Sequence, residues 1–235
     1  MKNFIHTCMC LLFVVVGLSC KKNTTTPDPN TVKDIDGNVY KTVKIGNQTW
    51  MAENLRTTKY RNGDPIQLIT DPNVWKILNS GAYQGPFLSD QPEYGNFYNW
   101  FAVSDPRNIA PEGWHVATDA EFTELASFLG GNAIAGNKLK ETGTTHWKDP
   151  NTGTNESGFT ALGNGIVNAT TGKIQTAFVN GYSTIWANTL APGTSFPILY
   201  TIENNVPNFT LNVSNDILGA SEPKRHGCAV RCVKD

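Results

Sequence analysis

The chain has 235 residues, with 19 lysines and arginines against 20 aspartates and glutamates, which gives a formal net charge of −1. This balance excludes the strongly basic surface that nucleic-acid binding requires, so no nucleic-acid partner is expected. The 21 glycines and 6 tryptophans favour a loop-rich fold with an aromatic core over a helical bundle. The length suffices for one or two domains.

The first twenty residues have the pattern of an export signal. Lys2 precedes an apolar run over 10–18 that is too short to span a membrane. The run ends in Gly17-Leu-Ser-Cys20, which resembles a bacterial lipobox, although Gly17 stands where Leu or Val is usual. The resemblance implies a signal peptide over 1–19 and a lipid anchor on Cys20, with palmitate among its acyl chains. An ordinary cleaved signal and a retained anchor are the alternatives.

A polar segment follows the predicted lipid site. Residues 20–33 contain two prolines and show no periodicity, which predicts a flexible, lipidated tether between membrane and domain. The folded domain is then expected over 34–235.

The folded part keeps two cysteines, Cys228 and Cys232. An exported chain meets an oxidising compartment, where disulfides are allowed. If 229–233 is a strand, however, four residues span about 13 Å, whereas the Cα atoms of a disulfide lie within about 7 Å. The spacing therefore predicts two buried apolar thiols. A thiol–imidazole pair with His226 is the alternative.

Strand signals open the domain. Residues 39–45 alternate as in a half-buried strand, Gly46-Asn47 suits a two-residue turn, and 48–51 complete a hairpin. A short strand over 66–69 and a helical turn over 72–78 are expected next. The run over 94–103 is the most aromatic of the chain and is predicted to lie in the core.

The stretch over 113–131 predicts a strand that turns directly into a helix. Thr118 and Glu121 have the spacing of a capping box. Four apolar residues then recur at helical spacing, and Gly130-Gly131 predicts a left-handed stop. The apolar residues are Phe122, Leu125, Ala126 and Leu129. A second, weaker helix is expected over 133–141.

The last third of the chain is rich in strand signals. Strands are predicted near 176–180, 183–187, 198–202, 209–213 and 229–233, with glycine, proline and asparagine between them. The simplest architecture is one α+β domain, in which an antiparallel sheet takes strands from both chain ends and carries one or two packed helices and long loops.

Six motifs occur in a fixed order and cover 34–235. They are Asp36-Gly-Asn-Val-Tyr, Ile45-Gly-Asn-Gln-Thr-Trp-Met-Ala-Glu-Asn-Leu, Tyr94-Gly-Asn-Phe-Tyr-Asn-Trp, Gly113-Trp-His-Val-Ala-Thr-Asp-Ala-Glu-Phe, Asn155-Glu-Ser-Gly-Phe and Val230-Arg-Cys-Val-Lys-Asp. Together they resemble the Fibrobacter succinogenes major paralogous domain family. Ala117 stands where that family usually has proline, and Phe122 where it usually has tryptophan.

The resemblance implies a C-type-lectin-like fold, akin to formylglycine-generating enzymes, and secreted or lipid-anchored proteins common in Bacteroidetes. It implies no reaction or ligand. Lectins of this fold hold sugar through calcium with a Glu/Gln-Pro-Asn/Asp loop and a Trp-Asn-Asp motif. Here Gln91-Pro-Glu93 precedes the helix and Trp-Asn-Asp is missing, so that site is not expected.

A loop over 149–156 places oxygen-bearing side chains at alternating positions, as hard cations prefer. Its candidate ligands for calcium are Asp149, Asn151, Asn155 and Glu156. The loop lacks the glycine and the distal glutamate of an EF-hand, and a plain turn-rich loop is the alternative. No other cofactor is expected.

No motif specifies catalysis, since His-Glu-x-x-His, Gly-x-Ser-x-Gly and phosphate loops are all missing from the sequence. His115 is expected to be a satisfied core histidine, and His146 has no partner by spacing. Aromatic residues on loops are the better candidates for ligand contact, because loops carry function on a rigid scaffold. These residues are Trp75, Tyr83 and Trp147.

The combined expectation is a non-enzymatic module that binds a glycan or a protein and is held in the cell envelope by its lipid, at the outer membrane, on either its surface or its periplasmic face. An envelope enzyme resembling formylglycine-generating enzymes and a structural envelope protein are the alternatives.

Overall fold

The computed structural model describes residues 28–87, 89–216, 219–220 and 222–235. The predicted signal peptide and Cys20 lie outside these ranges. Within them, no helix is long and apolar enough to cross a membrane.

The strands of the described residues are β1 (Thr31–Lys33), β2 (Val39–Ile45), β3 (Gln48–Met51), β4 (Gln67–Leu68), β5 (Ala82–Gln84), β6 (Phe97–Tyr98), β7 (Trp114–Val116), β8 (Tyr182–Leu190), β9 (Pro197–Glu203), β10 (Phe209–Val213) and β11 (Cys232–Lys234). The helices are α1 (Pro72–Trp75), α2 (Trp100–Val103), α3 (Asp119–Phe128) and α4 (Asn132–Leu139). Short 3-10 turns cover Pro92–Tyr94, Ser214–Asp216 and Pro223–Arg225.

The largest sheet has the strand order β1-β2-β3-β11-β7, and all of its pairs are antiparallel. Val233 of β11 lies opposite Trp50 on one side and His115 on the other. The strand from the end of the chain therefore joins the first hairpin to the strand before α3. The predicted α+β class, with a sheet drawn from both ends of the chain, is confirmed.

Two smaller sheets complete the structure. β8, β9 and β10 form an antiparallel meander, and β4, β5 and β6 form a second three-stranded sheet in which β4 and β5 are parallel. The predicted strands over 183–187, 198–202 and 209–213 are confirmed as β8, β9 and β10.

Most elements differ from the predictions by a few residues at their ends, and three predicted segments differ more. The segment over 176–180 is a series of turns and not a strand, because its backbone bonds locally: the Phe178 N–H donates to the Gln175 carbonyl and the Gly181 N–H donates to the Phe178 carbonyl. Asn180 takes a left-handed φ of 60°. The strand predicted over 229–233 is regular only from Cys232, since Cys228 and Ala229 each make a single bridge. β1 lies inside the segment predicted as a tether, because its backbone pairs with that of β2.

The strand-to-helix prediction over 113–131 is confirmed. The Thr118 hydroxyl accepts a hydrogen bond from the Glu121 N–H, and the Glu121 carboxylate accepts one from the Thr118 N–H. Both groups satisfy N–H donors that the first helical turn leaves free. Gly130 and Gly131 have φ values of 102° and 98°, which ends α3 as expected.

The core is aromatic on both sides of the largest sheet. On one side Phe122 of α3 packs between Trp50 and Tyr200, with ring centroids 5.1 and 4.8 Å away. On the other side Trp100 and Trp186 meet at 5.5 Å. Most of the aromatic run over 94–103 is buried, as predicted.

Candidate binding surface

Tyr83 occupies the middle of β5, between two buried neighbours. Ala82 and Gln84 point into the core, whereas Tyr83 points the other way and is half-buried. This alternation follows from the period of two in a strand. The Tyr83 ring lies beside that of Tyr98 at a centroid distance of 6.3 Å, so one side of it is supported by the core.

The Tyr83 ring lines an open groove of about 370 Å³. This groove, called the Tyr83 groove below, combines apolar and polar lining residues. The apolar ones are Leu68, Pro86 and Pro92, and the polar ones are Arg56, Thr58, Ser89 and Asn96. A mostly apolar concavity with a few polar side chains is the usual form of a small-ligand site.

Arg56 is held in place by three contacts. Its Nη1 donates to the Glu53 carboxylate at 3.0 Å, its Nη2 donates to the Val39 carbonyl at 2.7 Å, and its guanidinium lies 4.4 Å from the centre of the Tyr40 ring. The Asn96 amide in turn donates to the Arg56 carbonyl at 3.0 Å. The polar wall of the groove is therefore ordered without any ligand.

The charges around the groove cancel in pairs. Arg56 pairs with Glu53, and Lys59 lies 2.9 Å from Asp36. Partial burial opposes ionisation of Asp36, but hydrogen bonds from Thr58 and Lys59 outweigh it and lower the pKa of that carboxyl. Burial, together with the nearby Asp36 charge, raises the pKa of the Tyr83 phenol. The groove thus presents a neutral phenol and paired charges.

A fully buried arginine lies next to this surface. Arg231 donates through Nε to Asn54 Oδ1 at 2.7 Å and through Nη1 to the carbonyls of Met51 and Phe159 at 3.0 and 2.6 Å. Its Nη2 donates to the Thr160 carbonyl at 2.9 Å. Burial lowers its pKa to about 9, so the guanidinium stays charged at neutral pH. Arg231 and the four residues that accept its hydrogen bonds are called the Arg231 node below.

A small cleft of about 150 Å³ lies over the Arg231 node. At its mouth, His146 Nδ1 lies 2.8 Å from the Glu141 carboxylate, and its Nε2 lies 3.4 Å from Glu93. The ring also meets Tyr94 edge-on at 5.1 Å. His146, for which no partner was predicted, therefore has three, and Glu93 is too distant in sequence for spacing to have shown it.

Two of the predicted ligand-contacting aromatics are not exposed. Trp75 has 0% and Trp147 1% of its surface accessible, so the expectation that they form an exposed face is wrong. Each indole N–H donates to a backbone carbonyl, that of Arg225 for Trp75 and that of Ala161 for Trp147. A tryptophan in a polar stretch of sequence, such as Trp75 in α1 or Trp147 in a loop, can thus be a core residue, because its single donor is satisfied internally.

The predicted calcium loop is held by hydrogen bonds within the protein. Asn151 donates to the carbonyls of Glu141 and Gly143, and Asn155 bonds to Thr160. Glu156 lies 3.8 Å from Lys138, and Asp149 precedes Pro150 in a cis peptide bond. Among the described residues, no group of three histidine, cysteine, aspartate or glutamate side chains is arranged to hold a metal ion.

The ammonium group of Lys140 lies next to the predicted calcium loop and bonds to Thr152 of that loop. Lys140 is fully buried, and its Nζ donates to Thr152 Oγ1 and to the carbonyls of Glu203, Asn204 and Val206, all within 2.8–2.9 Å. Burial lowers the pKa of Lys140 to about 8, so the ammonium keeps its proton at neutral pH. The oxygens that it binds are thereby occupied.

Both cysteines are free and fully buried, as predicted. Burial raises the pKa of each thiol far above its ordinary value, which keeps both protonated. A protonated, inaccessible thiol is a poor nucleophile.

His115 is satisfied but lies at the surface, with a third of its side chain accessible. Its Nδ1 is 2.6 Å from Asp235 Oδ1 and its Nε2 is 2.6 Å from Glu121 Oε1. Partial burial disfavours the charged imidazole, but the carboxylates of Asp235 and Glu121 outweigh it and raise the pKa of His115. The histidine links β7 to the capping box of α3.

Comparison with protein families gives a match over most of the chain. A model described as the Fibrobacter succinogenes major domain matches residues 43–234. Comparison with curated proteins and with solved structures gives no match.

Proposed function

The chain belongs to the Fibrobacter succinogenes major domain family, and we propose that it is a non-enzymatic binding module of the cell envelope that contacts a neutral glycan in the Tyr83 groove. The lipobox-like Gly17-Leu-Ser-Cys20 supports anchoring through Cys20. The outer membrane is the proposed location.

The observation that carries this proposal is the composition of the Tyr83 groove. A sugar ring has an apolar face that packs on an aromatic ring and hydroxyls that bond to planar polar groups. Tyr83 offers the ring, while Arg56 and Asn96 offer polar groups already fixed by the protein. Because Arg56 is paired with Glu53, the groove attracts an uncharged ligand over an ion.

The buried thiols support a binding role over the formylglycine-type enzyme. A cysteine oxidase needs thiols that reach substrate as thiolates. Cys228 and Cys232 are inaccessible, and their raised pKa values favour the protonated form.

The test is a glycan array probed with the full-length chain and with Tyr83→Ala. We expect one or more neutral glycans to bind and the variant to lose at least about tenfold in affinity, which corresponds to about 1.4 kcal/mol. Tyr182→Ala, which removes a half-buried tyrosine outside the groove, is the matched control and is expected to bind normally. An empty array together with a protein captured through the groove would replace the glycan by a protein ligand.

The anchor is tested separately. Mass spectrometry of the mature chain is expected to show diacylglyceryl Cys20, and Cys20→Ser is expected to release the protein from the membrane fraction. Recovery of an unmodified N-terminus elsewhere would remove the anchor from the proposal.

A further inference from the structure

A second pocket, of about 210 Å³, lies beside the turn that joins β1 to β2. Its inner walls are Ile109, Ala110 and Pro111, all buried, and Ile35 stands at its mouth with 47% of its surface exposed. None of its lining residues belongs to the Tyr83 groove. The pocket is therefore a separate concavity with a mainly aliphatic wall.

One arginine is fixed in the lining of this pocket. Arg61 donates through Nε to the Ala110 carbonyl at 3.2 Å and through Nη2 to the carbonyls of Pro111 and Trp114. These three bonds orient the guanidinium plane. Within the described part of the chain, Nη1 has no protein acceptor and no carboxylate forms an ion pair with Arg61. Both N–H groups of Nη1 are thus left for a ligand.

The other charges of the pocket are already engaged or cancel. The buried Asp34 carboxylate accepts hydrogen bonds from the Asn38 N–H, the Asn38 side chain and the Tyr40 hydroxyl. Lys33 and Glu112 are exposed and of opposite sign. The three donors to Asp34 are neutral, so its negative charge remains, but they engage its oxygens. Arg61 is therefore the group of the lining that can bind an anion, and with the Asp34 carboxylate nearby it suits one negative charge and not two.

We propose that this pocket binds a small aliphatic monocarboxylate, with its carboxylate on Arg61 Nη1 and its hydrocarbon body against Ile35 and Ile109. Hydrogen bonds between arginine and carboxylate are charge-assisted and about twice as strong as neutral ones. An apolar cavity of about 150 Å³ holds benzene, so a pocket of about 210 Å³ accommodates a branched acid of similar size. This site is independent of the proposed glycan contact.

The probe is 4-methylpentanoate, compared with 4-methylpentanamide, titrated at neutral pH into the full-length chain in detergent. Methyl NMR signals of Ile35 and Ile109 report binding. We expect both signals to shift with the acid in a saturable way, and the amide to bind at least tenfold more weakly because it carries no charge. Equal responses to acid and amide, or no shift up to the solubility limit, would overturn the proposal.

A matched pair of surface variants separates binding from folding and from partition into detergent. Ile35→Asp places a carboxylate at the mouth of the pocket and is expected to weaken acid binding at least tenfold, as read from Ile109. Val39→Asp changes an equally exposed residue of the same hairpin that does not line the pocket, and is expected to bind as wild type. Unchanged binding in Ile35→Asp, or equal loss in both variants, would contradict the assignment.

Discussion

The Arg231 node and the Tyr83 groove are close in the structure, yet they are built in opposite ways. Four different residues accept hydrogen bonds from Arg231, which leaves almost none of its surface accessible. In the groove, Tyr83 is half-buried and its polar neighbours hold one another while one side stays open. The Arg231 side chain is bound by the protein itself. The side chains of the Tyr83 groove are also ordered by the protein, but they leave space for a ligand.

The six family motifs are distributed differently over these two regions. Asn54, Phe159 and Arg231 come from three separate motifs and meet in the node. Tyr83, Leu68 and Pro86 lie outside all six motifs. The motifs therefore identify the residues that hold the domain together, as well as Asn96 of the groove, whereas the aromatic and apolar side chains of the proposed contact surface lie in sequence that the motifs do not cover.

Arg231→Ala should produce the largest loss. It removes a buried cation and leaves the carbonyls of Met51, Phe159 and Thr160 without their donor. Each unsatisfied buried group costs about 1–3 kcal/mol, so we expect a loss of about 5 kcal/mol in the free energy of unfolding, measured in urea. Arg107→Ala, at an exposed arginine paired with Asp105 and Asp64, should cost about 1 kcal/mol or less. Similar losses of stability in the two variants would contradict the view that the Arg231 node contributes more to stability than an exposed arginine.

Trp75→Ala should come next. The indole fills buried space under α1 and donates to the Arg225 carbonyl. Truncation of a buried tryptophan costs about 3–5 kcal/mol. Differential scanning calorimetry should show a clearly lower melting temperature. A variant that melts like the wild type would contradict the burial of Trp75 in the core.

Tyr83→Ala should affect stability far less than Trp75→Ala. The ring is half-buried and touches the core through Tyr98 on one side, so we expect a loss of about 1 kcal/mol, in the range of ordinary substitutions. Its main effect should be on glycan binding. A loss of stability as large as that of Trp75→Ala would indicate that Tyr83 is a core residue and not a surface residue that contacts ligand.

His115→Gln should have the smallest effect, and one that depends on pH. The raised pKa of His115 means that the imidazolium stabilises the fold below about pH 6.5 and that this contribution fades as pH rises through the folded-state pKa. The exposed pair limits the effect to about 1 kcal/mol or less. Urea unfolding should separate the two proteins at acidic pH and make them converge at alkaline pH.

A companion variant tests the cause of that shift. Asp235→Asn removes one of the two carboxylates that face His115 and should lower the pKa of the imidazole in an NMR titration. An unchanged titration would assign the shift to Glu121 alone.

Local elements were predicted well from the sequence where the residues that specify them are close together in the chain. The capping box of Thr118 and Glu121 and the hairpin around Gly46 follow from spacing alone. A sheet with strands from both chain ends was also predicted. The neighbours of β11, which are β3 and β7, were not, because periodicity does not specify long-range pairing.

The site was less accessible to prediction, for physical reasons. Burial of Trp75 depends on a carbonyl 150 residues away, and the partner of His146 at Glu93 is 53 residues distant. Lys140 gave no signal at all, since its ammonium is bound by carbonyls that every sequence contains. Tyr83 was predicted to be an exposed aromatic on a loop, whereas it lies half-buried in β5. Its contact with a ligand stays a prediction.

The place of β11 has a consequence for folding. It lies in the middle of the largest sheet, between β3 and β7, yet it is the last of these strands to leave the ribosome. Until 232–234 emerge, the two halves of the sheet have no backbone to join them. The largest sheet can therefore close only late in synthesis, after the residues of both smaller sheets have been made.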